Sequence, residues 1–83
     1  MESRKGKLNR IFKLLYSLKV GDFVELEFDN WDLYKVVNKD DCIQLISVKD
    51  RRYSAGYECN DMVDLIMCML NDMHDGILKN VKK

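Results

Sequence analysis

The chain has 83 residues and a mass of 9.8 kDa, which supports one domain, because chains divide into several cores only at two or three times this length. Fourteen Lys and Arg balance fourteen Asp and Glu, and this zero net charge argues against attraction of the whole surface to nucleic acid or anionic lipid. The composition, 47 % hydrophobic and 34 % charged, is that of a soluble globular chain and argues against intrinsic disorder.

The first predicted element is an amphipathic helix over about residues 7–19. Apolar residues recur there at helical spacing, and cations occupy the other side. The apolar set is Leu8, Ile11, Phe12, Leu15 and Leu18. Residues 1–6 are expected to fray, and Gly21 followed by Asp22 ends the helical period.

Three strands follow. Val24, Leu26 and Phe28 alternate with acidic residues, which is typical of a half-buried strand. Residues 33–37 and 42–49 are rich in aromatic and β-branched residues and predict two more strands, separated by polar turns. For Tyr53–Tyr57 two interpretations stay open: a short fourth strand or an ordered loop.

The last predicted element is a helix over about residues 60–75. Asn60 is the expected N-cap, and Gly76 lies just beyond the last turn. Only a narrow polar stripe interrupts its apolar residues, so we expect the helix to be largely buried. The basic residues 79–83 are expected to fray.

These elements predict one two-layer α+β domain over residues 1–83. It has an N-terminal amphipathic helix, an antiparallel meander of three to four strands and a buried C-terminal helix, in the order α-β-β-β-(β)-α. The order resembles that of double-stranded RNA-binding domains in layout. The second helix, however, begins Asn60-Asp61-Met62-Val63-Asp64 and lacks the basic residues that clamp phosphates in that family. The sequence is therefore assigned to no family.

Chemistry-bearing patterns are scarce. The three cysteines, Cys42, Cys59 and Cys68, form no C-x-x-C pair and favour a reducing cytoplasm. Their spacing to the one histidine, His74, fits no zinc pattern, so we predict no metal and no cofactor. No glycine-rich phosphate loop or nucleophile–base pattern is present, and we predict that the protein is not an enzyme. The longest apolar run, residues 65–70, is too short to cross a bilayer.

The leading hypothesis is a protein-binding module that acts through an acidic sheet face. The outward positions of the first strand are acidic, and a turn tryptophan beside them could anchor a partner. The predicted partner-binding residues are Glu25, Glu27, Asp29, Trp31, Asp32 and Tyr34. A basic partner would suit this face, and the most specific form of the hypothesis is an inhibitor of a nucleic-acid-handling defence protein.

A phage or mobile-element origin is suggested by composition alone: ten Lys against four Arg, six Asn and no Pro are typical of AT-rich genomes. Charge is also segregated along the chain, with net +5 over residues 1–20 and net −5 over residues 21–41. A dipolar molecule with two charged faces is therefore expected.

The alternative hypothesis is direct nucleic-acid binding by the basic first helix. The candidate residues are Arg4, Lys5, Lys7, Arg10 and Lys13, joined by Arg51 and Arg52. A lesser alternative is that the same helix binds a membrane surface. A homodimer could form through an unpaired edge strand or through the methionine-rich second helix.

Overall fold

A computed structural model describes residues 3–83. The elements, in chain order, are α1 (Arg4–Ser17), β1 (Phe23–Glu27), β2 (Trp31–Lys39), β3 (Cys42–Ser47), α2 (Met62–His74) and β4 (Asn80–Lys82). The α+β class and the antiparallel meander predicted from the sequence are confirmed. Neither helix within residues 3–83 combines the length and the apolar character that a membrane span requires.

Helix α1 begins three residues earlier than its apolar spacing predicts. The Ser3 hydroxyl accepts a hydrogen bond from the Gly6 N–H at 3.0 Å, which satisfies one of the free donors of the first turn. The helix ends where Leu18 turns to extended backbone. Residues 4–6, expected to fray, are therefore helical, and residues 1 and 2 lie outside the described part.

The meander is built on short turns. Asp40 and Asp41, which link β2 to β3, both have positive φ angles (53° and 61°), as a two-residue type I′ hairpin requires. Aspartate tolerates this region better than most residues because its short side chain can bond the local backbone.

Strand β4 completes the sheet on its β1 side. The strand order is β3-β2-β1-β4, with Val81 opposite Leu26. The prediction that residues 79–83 fray is wrong, because Leu78 and Val81 enter the core and are almost fully buried. Backbone pairing with β1 gives this short segment its strand conformation.

One face of the sheet carries the core. α1 packs against β4 and α2 against β3, so both helices cover the same face. The buried residues include Ile11 and Leu15 from α1, Leu65 and Met69 from α2, and alternate residues of every strand. No described element covers the other face, whose side chains are exposed or half-buried.

The chain between β3 and α2 runs along the outer edge of β3. The Ile43 N–H donates to the Cys59 carbonyl at 2.7 Å, the Cys59 N–H returns the bond at 3.1 Å, and the Ala55 N–H donates to the Leu45 carbonyl at 3.0 Å. Isolated bridges rather than a continuous ladder hold this segment. Tyr53–Tyr57 is thus an ordered loop bonded to the sheet.

Helix α2 begins at Met62, with Asp61 rather than Asn60 as its N-cap: the Asp61 carboxylate accepts from the Asp64 N–H at 2.9 Å. Leu65, Ile66 and Met69 are buried. The opposite side exposes 68 % of Val63 and 58 % of Met67, so more than a polar stripe faces solvent. The reason is that the sheet covers only one side of the helix.

Candidate interaction surface

The uncovered face of the sheet, hereafter the open sheet face, is rich in exposed apolar side chains. Four large ones lie on β1, on β2 and just after β3: Phe23 (47 % exposed), Trp31 (38 %), Leu33 (38 %) and Val48 (42 %). Strand alternation places them opposite the core residues Val24 and Tyr34. Several large apolar side chains exposed on one face are the usual mark of a binding site.

Charges of both signs are interleaved with these apolar side chains. The register places Glu25 between Leu33 on β2 and Lys82 on β4, and Lys35 opposite Phe23. The Lys82 Nζ lies 4.8 Å from the centre of the Trp31 ring, and the Lys35 Nζ lies 5.6 Å from the centre of the Phe23 ring, both within cation–π range. The face is therefore mixed in charge rather than acidic.

A shallow depression of about 610 Å³ lies at the Phe23 end of the open sheet face. Its lining includes Phe23, Lys35, Ile46 and Val48, with Arg51 from the turn that follows β3. An apolar lining with cationic groups suits a partner side chain that is apolar and carries an acceptor or a negative charge.

The predicted partner-binding residues divide between two faces. Glu25, Glu27 and Trp31 lie on the open sheet face, and Trp31 begins β2 instead of lying in a turn. Tyr34 lies on the helix-covered face and is only 2 % exposed, and burial raises its pKa to about 12. Asp32 also points to that side, where it accepts a 2.8 Å hydrogen bond from the Ser47 hydroxyl. The burial of Tyr34 corrects its prediction as a partner-binding residue, whereas Asp32 is half-buried and its predicted role stays a prediction.

Asp29 lies in the turn between β1 and β2. Its side chain is fully exposed, and Lys79 approaches it to 3.9 Å. A pair so exposed contributes little to stability. Asp29 therefore stands at the margin of the open sheet face with a cation beside it.

The predicted nucleic-acid-binding residues do not form one surface. The Arg10 guanidinium donates to the Val81 carbonyl at 2.7 Å and to the Asn80 side chain at 2.8 Å, and the Lys7 Nζ donates to the Lys79 carbonyl at 2.7 Å. These two cations fasten α1 to the β4 region. Arg4, Lys5 and Lys13 are exposed on α1, whereas Arg51 lines the depression on the open sheet face and Arg52 is exposed in the nearby turn.

Both edges of the sheet are occupied. The segment containing Ala55 and Cys59 bonds the outer edge of β3. On β4, the Val81 carbonyl accepts from Arg10 and the Val81 N–H donates to the Asn80 side chain at 2.9 Å. The sequence allows a homodimer through an unpaired edge strand. At Val81 such pairing is disfavoured, because the N–H and the carbonyl of Val81 already have side-chain partners.

Sequence reasoning missed a groove between the helices. It measures about 470 Å³, and its lining includes Leu8 and Phe12 of α1 and Leu70 and Met73 of α2. Helical spacing predicts Leu8 and Phe12 on the apolar side of the first helix, and Leu70 and Met73 in a second helix that is largely buried. The available signal is that Leu8 and Phe12 lie beside the line of Ile11, Leu15 and Leu18, which is the buried line of α1.

Sites for chemistry are few in the described residues. Among residues 3–83 no group of three or more His, Cys, Asp or Glu is placed to hold a metal ion. Tyr57 donates a 2.7 Å hydrogen bond to the Asp72 carboxylate, and burial, followed by this bond, raises the pKa of Tyr57. The bond joins the segment along β3 to α2. Cys59 also lies close to Cys68, a proximity that sequence spacing did not reveal.

Comparisons of the chain with protein-family models, with curated proteins and with solved structures found no match.

Proposed function

We propose that the protein is a non-enzymatic binding module whose open sheet face docks another protein. The observation that carries the proposal is the exposure of Phe23, Trp31, Leu33 and Val48 together on one uncovered sheet face. Removing such side chains from water is the main favourable contribution to protein association, and tryptophan is enriched among the residues that dominate binding energies.

The occupied edges indicate how a partner would bind. Since the edges of β3 and β4 already have hydrogen-bond partners, a strand added at either edge would have to displace them. Side-chain contacts across the face require no such displacement. Glu25, Lys35 and Lys82 would then set orientation, because interleaved charges favour a partner with the complementary pattern.

The narrower hypothesis of an inhibitor of a nucleic-acid-handling protein remains a proposal. It is supported by Glu25 and Glu27 on the open sheet face and Asp29 at its margin. Lys82 and Lys79 lie beside this acidic group, so a purely basic partner would meet repulsion as well as attraction. A partner surface with an apolar centre and charges of both signs fits better.

The test compares substitutions of two exposed aliphatic residues, one on the sheet and one on the helical layer. Leu33→Asp alters the open sheet face, and Val63→Asp alters the exposed side of α2. In pull-downs from a low-GC bacterial lysate followed by titration of the captured protein, we expect Leu33→Asp to weaken binding about tenfold or more, near 1.4 kcal/mol, and Val63→Asp to leave it unchanged. Circular dichroism verifies that both variants fold. Equal binding by the Leu33→Asp variant, or equal loss with both variants, would contradict the proposal.

Nucleic-acid binding by α1 is the second candidate, supported by the exposure of Arg4, Lys5 and Lys13. A double variant, Lys5→Gln with Lys13→Gln, should lower affinity for a single-stranded or duplex probe and reduce its salt dependence. Absence of any probe shift at low salt would eliminate this function. Neither residue lies on the open sheet face, so the two proposals are tested separately.

A further inference from the structure

Two of the three cysteines lie side by side although nine positions separate them. The Sγ atoms of Cys59 and Cys68 are 3.9 Å apart, with the Cys59 thiol as the hydrogen-bond donor. Cys59 belongs to the segment bonded along β3, and Cys68 lies on α2. The pair therefore bridges two separate parts of the fold, and the proposed binding function uses neither residue.

The two thiols differ in access to solvent. Cys68 is exposed, whereas Cys59 is 5 % exposed. Burial, followed by the hydrogen bond to Cys68, raises the pKa of Cys59 to about 12. The exposed Cys68 sulfur is therefore accessible to a small disulfide, and the Cys59 sulfur lies beside it, where a resolving partner is needed.

We propose that Cys59 and Cys68 form a redox-modification site that reacts with small disulfides such as glutathione disulfide and closes into an intramolecular disulfide. The Cys68 thiolate attacks one sulfur of glutathione disulfide, which breaks the S–S bond and gives a mixed disulfide and one glutathione. Cys59 then gives up its proton and attacks the Cys68 sulfur, which releases the second glutathione. Two protein thiols are oxidised and one glutathione disulfide is reduced to two thiols.

The geometry allows closure with a small movement. A disulfide requires about 2.05 Å between the sulfurs, so the atoms must approach by about 2 Å. Rotation of the two side chains can contribute much of this movement. The Tyr57–Asp72 hydrogen bond already holds the same segment against α2, which limits how far the two backbones can separate.

Cys42 offers an internal control. It lies on β3 and is partly buried, and among residues 3–83 the sulfur–sulfur hydrogen bond joins Cys59 to Cys68 and does not involve Cys42. Trypsin separates it from the pair, because cleavage after Lys39, Lys49, Arg52 and Lys79 gives one peptide of residues 40–49 and another of residues 53–79. Both Cys59 and Cys68 lie in the second peptide, so an internal disulfide lowers the mass of that one peptide.

The experiment treats the reduced, folded protein with glutathione disulfide under anaerobic conditions and follows intact mass. A disulfide is chosen instead of peroxide because Met62, Met67, Met69 and Met73 share the peptide and would also oxidise. We expect a transient mass gain of about 305 Da, then a final product about 2 Da lighter than the reduced protein, with the loss confined to residues 53–79. Dithiothreitol should restore the starting mass.

Three variants decide the assignment. Cys42→Ser should still lose about 2 Da, Cys59→Ser should stop at the mixed disulfide, and Cys68→Ser should form no internal disulfide. The exposed position of Cys68 makes its variant the safer one for folding, and circular dichroism checks all three. A wild-type product that stops at the mixed disulfide, links residues 40–49 to 53–79, or joins two chains would overturn the proposal.

Discussion

At the scale of single residues, the hydrogen bond between Tyr57 and Asp72 is a side-chain contact that joins two parts of the fold. The 2.7 Å bond satisfies a half-buried carboxylate and ties the segment along β3 to α2. A hydrogen bond to a charged group contributes more than a neutral one, because an unpaired carboxylate away from water carries a large desolvation cost.

We therefore predict that Tyr57→Phe lowers the free energy of unfolding by about 1.5 kcal/mol. The control is Tyr16→Phe: Tyr16 is 68 % exposed and stacks with Phe12, and this variant should stay within about 0.5 kcal/mol of the wild type. Urea unfolding followed by circular dichroism measures both. Equal stability of the two variants would show that the Tyr57 hydroxyl contributes nothing beyond its ring.

At the scale of elements, the sequence predicts a helix or strand when the residues within that segment determine its conformation. The two helices and the meander follow from apolar spacing and turn residues, and all of them are present. Strand β4 could not be predicted, because two of its three residues are polar and its conformation comes from pairing with β1, distant in sequence. Likewise, the burial of Tyr34 does not follow from the sequence, because both alternating sets of β2 contain apolar residues and alternation alone does not decide which set is buried.

The hydrogen bonds between α1 and β4 give a prediction for Arg10. Arg10→Met keeps the aliphatic stem but removes the donors to the Val81 carbonyl and the Asn80 side chain. We expect a loss of about 1 to 2 kcal/mol in unfolding free energy and faster amide hydrogen exchange in residues 79–83.

Lys13→Met, on the exposed side of α1, is the matched control and should change neither quantity. Unchanged exchange in residues 79–83 of the Arg10→Met variant would show that pairing with β1 alone holds β4.

At the scale of the whole molecule, the charge segregation seen along the chain is reduced in space. The basic residues 79–83 return to the acidic region: Lys82 pairs across from Glu25, Lys79 approaches Asp29, and the Lys83 Nζ lies 3.1 Å from Asp22. The molecule is therefore less dipolar than a count along the sequence implies. Partner choice then depends more on the apolar pattern of the open sheet face than on net charge.

The contacts of Asp22 predict that the stability of the fold depends on pH. The hydrogen bond from Lys83, followed by that from the Lys19 N–H, lowers the pKa of Asp22 below its usual value. A carboxyl group whose pKa is lower in the folded state stabilises the fold above its unfolded pKa and loses that effect as pH falls through the folded value. Asp22→Asn should thus unfold at lower urea concentration than the wild type at pH of about 7, and the two urea midpoints should draw together at acidic pH, as the Asp22 carboxylate of the wild type becomes protonated.

Added salt tests the origin of this difference, because it screens the exposed Asp22–Lys83 pair. The difference in urea midpoint between the wild type and Asp22→Asn at neutral pH should decrease as the salt concentration rises. A gap that is the same at both pH values would indicate a packing effect instead of ionisation.

The late position of β4 also has a consequence for synthesis. Translation makes β4 after α1 and the β1–β2–β3 meander, so a sheet that forms before Asn80–Lys82 is available has a bare β1 edge. The acidic residues of β1 and its turn also lack Lys79, Lys82 and Lys83 until then, and their mutual repulsion opposes pairing between neighbouring nascent chains. Lys79, Lys82 and Lys83 thus reduce the repulsion among these acidic residues at the same time as β4 covers the β1 edge.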